Sequence, residues 1–260
     1  MNPAAFFDLD GTLLPSPSLE RRMVRGLIQR GELGATQAAR WLARFLRFAA
    51  RDWCAATSGN KAYLAGVSAL APEAWMAARC PQGINFYPQG LDTVRRHAIL
   101  GYRIVFVSGT LAPLARAVAR EVEDRLHLHA QILVCATELV SAGEILTGEA
   151  VGAHLSREAK ASVVERLVAK HGWDLRACFG YGNTMADEGM LGCVGHPFAV
   201  NPNANLAERA QRGGWPVLLW DLHASACRAE FRQNGQTQSN VAPTTFVELE
   251  RRSLRVRRQP

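Results

Sequence analysis

The chain has 260 residues, 48% hydrophobic and 20% charged, with a net charge of +7. That balance suits an ordinary globular protein large enough for one α/β domain plus a smaller insert, and no apolar run approaches the ~20 residues of a membrane-spanning helix. The positive excess concentrates in Arg21 to Arg51, which holds Glu32 as its internal acid, and in a tail with Arg251, Arg252, Arg255, Arg257 and Arg258. No helix-turn-helix, zinc-finger or RNA-binding signature accompanies it, so nucleic acid is not an expected partner. The basic surface suits a small phosphorylated substrate instead.

In chain order, Ala4-Ala5-Phe6-Phe7 reads as a short buried strand, and Gly11-Thr12 as the turn that leaves it. Residues 18–80 lack alternation and read as successive helices, with breaks at Thr57-Ser58-Gly59-Asn60 and at Ala71-Pro72-Glu73. Within them Trp41, Phe45 and Phe48 recur at helical spacing and read as the interior of that insert. From residue 88 the pattern alternates. Helices are expected over Leu91–Leu100, Pro113–Arg125 and Ser156–Lys170, the last with Ser156 as its cap. Strands are expected over Arg103–Val107, Gln131–Cys135, Ala177–Tyr181, Pro197–Val200 and Val217–Leu219, and Glu138–Gly148 reads as a β-hairpin. This recurrence predicts an α/β fold with a doubly wound, mostly parallel sheet. The expected layout is a core of residues 1–15 and 85–222, a helical cap of residues 16–84, and a mobile basic tail from 223 to 260.

The first strand ends in two carboxylates one residue apart, Asp8 and Asp10. Ligands of open α/β sheets bind outside the carboxyl ends of the strands. Two acids there repel each other unless a cation or proton lies between them. Such a pair suits metal-assisted chemistry in which one carboxylate attacks and the other moves a proton.

Asp8-Leu9-Asp10-Gly11-Thr12 resembles the first motif, D-x-D-G-T, of the haloacid-dehalogenase-like phosphatases. Three more segments resemble that family's other motifs, in its order. Ile104 to Thr110 is an apolar strand ending in Ser108-Gly109-Thr110, Lys160 stands alone on a helix, and Phe179 to Asp187 ends in Gly182-Asn183 and Asp187. The run Val194 to Pro202 with Gly214-Trp215-Pro216 resembles the branch nearest phosphoserine phosphatase.

The resemblance implies a Mg²⁺-dependent phosphomonoesterase working through an aspartyl-phosphate. It implies Asp8 as nucleophile, Asp10 as general acid and base, and Lys160 as the charge that neutralises the transition state. Ser108, the Gly109 amide and Gly11 would hold phosphate with Lys160. The metal would be held by Asp8, Asp10, Asn183 and Asp187, with Asp187 holding a metal-bound water or the lysine. Taken alone, Ser108-Gly109-Thr110 reads equally as a helix N-cap. Asn183 stands where the family usually has Asp, which removes one negative charge and predicts weaker Mg²⁺ binding.

Phosphoserine phosphatases place a Glu shortly after the first motif to hold the substrate's amine. Here that stretch is Pro15-Ser16-Pro17, and Glu20 follows a helical turn later. Ala186 also replaces their Asn, so phosphoserine is not the expected substrate. Two other readings remain: a phosphatase of an anionic lipid phosphate at a membrane surface, and a binding protein that keeps the fold without turnover. His127, His129, His154 and His196 lack metal-ligand spacing and receive no role. The six cysteines form no C-x-x-C pair. With a strand starting almost at once and no room for a signal peptide, reduced thiols in a cytoplasmic protein are expected.

Overall fold

A computed structural model describes residues 3–51, 53–79, 83–128, 132–152, 154–223 and 230–231. Strand β1 (Ala4–Phe7) lies inside a seven-stranded sheet with β2 (Arg103–Leu111), β3 (Leu133–Thr137), β6 (Phe179–Gly182), β7 (His196–Val200), β8 (Val217–Leu219) and β9 (Glu230–Phe231), in the order β3-β2-β1-β6-β7-β8-β9. Six strands are parallel, and β9 runs antiparallel on β8. β4 (Leu139–Ala142) and β5 (Ile145–Ala150) form the expected hairpin.

Side chains on β1 alternate between the two faces of the sheet, as strand geometry requires. Ala5 and Phe7 join the cluster beneath helices α5 (Pro88–Ile99) and α6 (Ala112–Leu126). Ala4 and Phe6 join the opposite cluster, with α7 (Glu158–His171), α8 (Glu188–Cys193) and α9 (Ala204–Gly213). The sheet is thus covered on both faces, as its continuous apolar strands require.

The insert carries α1 (Leu19–Gln29), α2 (Ala35–Phe48), α3 (Trp53–Ala56), a single 3-10 turn at Ala62–Leu64, and α4 (Ala71–Arg79). Its buried Leu19, Met23, Leu27, Leu64, Trp75 and Met76 belong to the same hydrophobic cluster as Phe7, Phe106 and Val118 of the sheet side. Main-chain bonds join it to the hairpin as well: Gly66 N–H donates to Leu146 O, Leu146 N–H to Val67 O, and Ala69 N–H to Glu144 O, each at 2.8 Å.

Several expectations change in detail. Helix α7 begins at Glu158 because Arg157 adopts φ +44° and donates its N–H to Ala186 O at 2.7 Å, so Ser156 is not its cap residue. Helix α2 has no buried residue; Trp41 stacks on Phe45, whose ring meets Trp53 edge-on, while Leu42, Leu46 and Trp53 face outward. The α2 aromatics therefore form a half-covered ledge rather than an interior. The basic tail contributes β9; its residues 224–229 and 232–260 lie outside the described residues. Gln131, Cys80, Cys227 and His129 also lie outside them. Cys135, Cys178 and Cys193 are free thiols. Among the described residues, no helix is long and apolar enough to cross a membrane.

Candidate active site

The site grows from the carboxyl ends of three adjacent strands, β2, β1 and β6. Phe7 is in register with Phe106 on one side and Tyr181 on the other. Asp8 and Asn183 therefore follow the ends of β1 and β6 side by side, and Ser108 lies beside them within β2. Asp8 is fastened by its N–H to Tyr181 O at 2.9 Å, and the turn beyond it closes through Leu13 and Leu14 N–H bonds to Leu9 O. Lys160 lies in the first turn of α7, fully buried. Its Nζ donates to Asp8 Oδ1 and to Asp187 Oδ1, both at 2.6 Å. Thr12 Oγ1 donates to Asp8 Oδ2 at 3.2 Å.

Asp187 uses its second oxygen on the loop after β6, accepting the N–H groups of Asn183 at 2.9 Å and Thr184 at 3.0 Å. Its carboxylate thus orients the lysine and shapes the loop that presents Asn183. Two glycines make this packing possible. A Cβ on Gly11, which has φ +88°, would lie 1.9 Å from Asn183 Nδ2, and one on Gly182 would lie 2.4 Å from Asp187 Cβ. The glycines bring motif side chains together rather than only clearing backbone for a ligand.

Burial pushes the Asp8 carboxyl up to about 7, and Asp187 adds to the rise against the opposing pull of Lys160. Burial also raises Asp10, against the bond it accepts from the backbone of Leu19. Burial pulls the Lys160 ammonium down, but the two carboxylates outweigh it and hold the lysine above its usual range. Three acids thus face one cation, an arrangement short of positive charge. The oxygens of Asp8, the Asp10 carbonyl and the Asn183 amide are hard donors of the kind a divalent cation takes. Among the described residues, no group of three or more His, Cys, Asp or Glu side chains is arranged to hold a metal ion.

Asp10 Oδ1 accepts the Leu19 N–H at 2.7 Å, which ties this acid to the start of α1 in the insert. Ser108 Oγ accepts the Thr110 N–H at 3.2 Å, and Thr137 Oγ1 donates to Gly109 O at 2.8 Å. Strand β2 continues through this segment to Leu111, so Ser108 is held in strand geometry rather than as a helix cap. All of Asp8, Asp10, Ser108, Gly109, Lys160, Asn183 and Asp187 line one cavity of about 1370 Å³, roofed by α1, α2 and residues 57–63 of the insert. Gly11 sits against Asn183 just beside it.

The fold brings four further residues to this cavity: Glu20, which the sequence singled out, His154, which it left without a role, and Lys61 and Tyr63, which it passed over. His154 packs on Gly109, where an added Cβ would lie 2.8 Å from its Cε1. Its Nδ1 is buried with no hydrogen-bond partner. Burial first, and Lys61 second, push the ring down to about 4, so it is neutral near pH 7. Glu20, Lys61 and Tyr63 form a hydrogen-bonded cluster on the roof. No local pattern marks these residues, because 41 positions separate Lys61 from Glu20 and only the insert's fold joins them.

The model for the haloacid dehalogenase-like hydrolases matches residues 5–192. A probable phosphatase of Mycobacterium tuberculosis is 31% identical over 143 residues, covering 54% of this chain and 46% of its own length. The chain thus spans about half the length of the first curated relatives it matches. A phosphoserine phosphatase of the same organism is 26% identical over 240 residues, covering 88% of this chain and 74% of its own. A solved structure of a Bordetella pertussis protein of unknown function superposes with a TM-score of 0.68 at 28% identity, covering 85% of this chain and 99% of that one.

Proposed function

From the premise that the chain belongs to the haloacid dehalogenase-like hydrolase family, we propose that it is a Mg²⁺-dependent phosphomonoesterase acting on a small phosphorylated metabolite in the cytoplasm. The observation that carries this reading is the buried Asp8–Lys160–Asp187 chain lying in one cavity with Asp10 and Ser108. Similarity to proteins named as phosphatases supports it.

Asp8 attacks phosphorus, forming an aspartyl-phosphate as the bond to the alcohol oxygen breaks. Asp10, whose carboxyl burial raises above its usual range, gives its proton to that leaving oxygen. It then takes a proton from the water that attacks the aspartyl-phosphate, which releases phosphate and restores Asp8. Ser108 and the Gly109 N–H hold phosphate oxygens, and Lys160 balances the charge that gathers on them. Asp8, the Asp10 carbonyl and Asn183 would hold Mg²⁺, which supplies the positive charge that lets a phosphate dianion approach carboxylates. Asp187, with both oxygens engaged, positions Lys160 and the Asn183 loop.

The test is hydrolysis of p-nitrophenyl phosphate by the purified full chain with Mg²⁺. The expected result is turnover that falls at least about 10³-fold in Asp8→Asn. No turnover of any phosphomonoester by folded wild type would overturn the reading.

A further inference from the structure

The reaction leaves the alcohol unspecified, but the roof of the cavity restricts it. Glu20 is the insert carboxylate that lines the cavity. A carboxylate in that place would capture an ammonium group on a substrate. Here both of its oxygens are taken: Lys61 Nζ lies 2.6 Å from Oε1 and 2.8 Å from Oε2, and Tyr63 Oη donates to Oε1. The Lys61 side chain is only 4% exposed and that of Glu20 17%, so the pair is sheltered and breaking it is costly.

Several neighbouring polar groups of the roof are also engaged with main chain. Asn60 Nδ2 donates to the Trp41 and Ala56 carbonyls, and its Oδ1 accepts the Ala62 N–H. Thr57 Oγ1 donates to Trp53 O at 2.6 Å, and Gln37 Oε1 accepts the Gly34 N–H at 3.0 Å. What the roof offers a ligand is chiefly apolar: Val24 and Ile28 on α1, Leu33 between the helices, and Trp41 on α2. The volume of about 1370 Å³ also exceeds the roughly 300–1,000 Å³ of an ordinary small-molecule site.

We infer that the substrate is a phosphomonoester of an uncharged alcohol with an extended apolar arm, which lies between α1 and α2 while its phosphate sits at Asp8. This inference rests on the phosphomonoesterase reading above. The neutralised Glu20 rejects an ammonium on the alcohol by leaving it without a counter-charge in a sheltered site. Exposed Arg21 at the rim favours entry of the phosphate dianion.

The test measures phosphate release, as kcat/KM, by the full chain with Mg²⁺ on ethyl, butyl and octyl phosphates below their micelle concentrations, and on naphthyl phosphate. Phosphoethanolamine and O-phosphoserine serve as the ammonium-bearing probes. A fully buried methylene is worth up to about fourfold. The expected result is at least a tenfold gain from ethyl to octyl phosphate, with phosphoethanolamine about tenfold or more below ethyl phosphate. Lys61→Met uncovers Glu20, and the ratio of phosphoethanolamine to ethyl phosphate turnover rises severalfold. Ile28→Glu, at a 56% exposed position where folding is not at risk, collapses the octyl-to-ethyl ratio. Octyl preference over naphthyl identifies a linear arm, and the reverse a flat one; both support the inference. Rates indifferent to chain length, or a preference for the ammonium-bearing probes, overturn it while leaving the phosphatase intact. Absence of turnover on every ester, p-nitrophenyl phosphate included, overturns the reaction instead.

Discussion

Lys160 is the residue on which the charge balance of the centre turns. Removing its ammonium leaves Asp8 and Asp187 facing each other in a buried space without a counter-ion. Lys160→Met is therefore expected to destabilise the metal-free protein by about 3–5 kcal/mol. Denaturant unfolding measures that loss, and p-nitrophenyl phosphate hydrolysis should fall in parallel by at least about 10²-fold. Asn183 is the second decisive position. Asn183→Asp restores a negative charge beside Asp8 and is expected to lower the half-saturating Mg²⁺ concentration by roughly threefold to tenfold. An Mg²⁺ titration of activity checks it, and an unchanged midpoint would contradict the role. Asn183, at a strand end beside Gly182, was legible as a candidate locally, and Lys160 only through the order of the motifs. The Glu20–Lys61–Tyr63 cluster was not, because hydrogen bonds across more than 40 positions leave no trace in spacing.

At the level of elements, the hairpin β4–β5 is the unexpected part. Gly143 and the flanking apolar pairs announce a hairpin, which turns at Gly143-Glu144, yet nothing local says that it binds the insert. The structure lays it along residues 66–69, with Ser68 paired to Ile145. Gly148 makes the close approach: φ is +81°, and a Cβ would lie 2.9 Å from Ala62 Cα in the turn between Lys61 and Tyr63. Gly148→Val is expected to destabilise the protein by about 1–3 kcal/mol, read by thermal or denaturant unfolding. It should also raise KM for bulky phosphomonoesters by displacing Lys61 and Tyr63. The α2 ledge shows the opposite limit of sequence reading. Its aromatic spacing was evident, but helical periodicity cannot say whether a face meets a partner element or remains half-covered. Arg44 and Arg47 lie over Phe48 at 5.5 and 5.4 Å and cover part of it.

At the scale of the whole molecule, the mostly parallel sheet followed from alternating strands and helices, whereas its strand order comes from the structure. The aromatic layer on the α5 side did not, because stacking depends on register between strands distant in sequence. Phe7 stacks on Tyr181 at 4.6 Å and Tyr181 on Phe198 at 5.1 Å, while His97 Nε2 meets Tyr181 Oη at 2.9 Å. Burial, with His196 second, pushes His97 down to about 3. The native ring therefore stays neutral where an unfolded chain takes up a proton, so its stabilising contribution is complete above about pH 6.5 and declines as the pH falls toward 3. Stability measured against His97→Gln should show wild type losing ground below pH 6.5 by at most about 1.4 kcal/mol per pH unit. A constant difference would remove His97 from the acid response.

The main-chain bonds between residues 66–69 and 144–146 carry a consequence for chimeras built within this family. The segment proposed to select the alcohol and the hairpin bonded to it are separated in sequence by residues 85–138. A transplant of residues 16–84 alone would arrive without its brace, whereas one that also carried residues 139–150 would bring both halves of the recognition apparatus and leave Asp8, Ser108, Lys160 and Asp187 untouched.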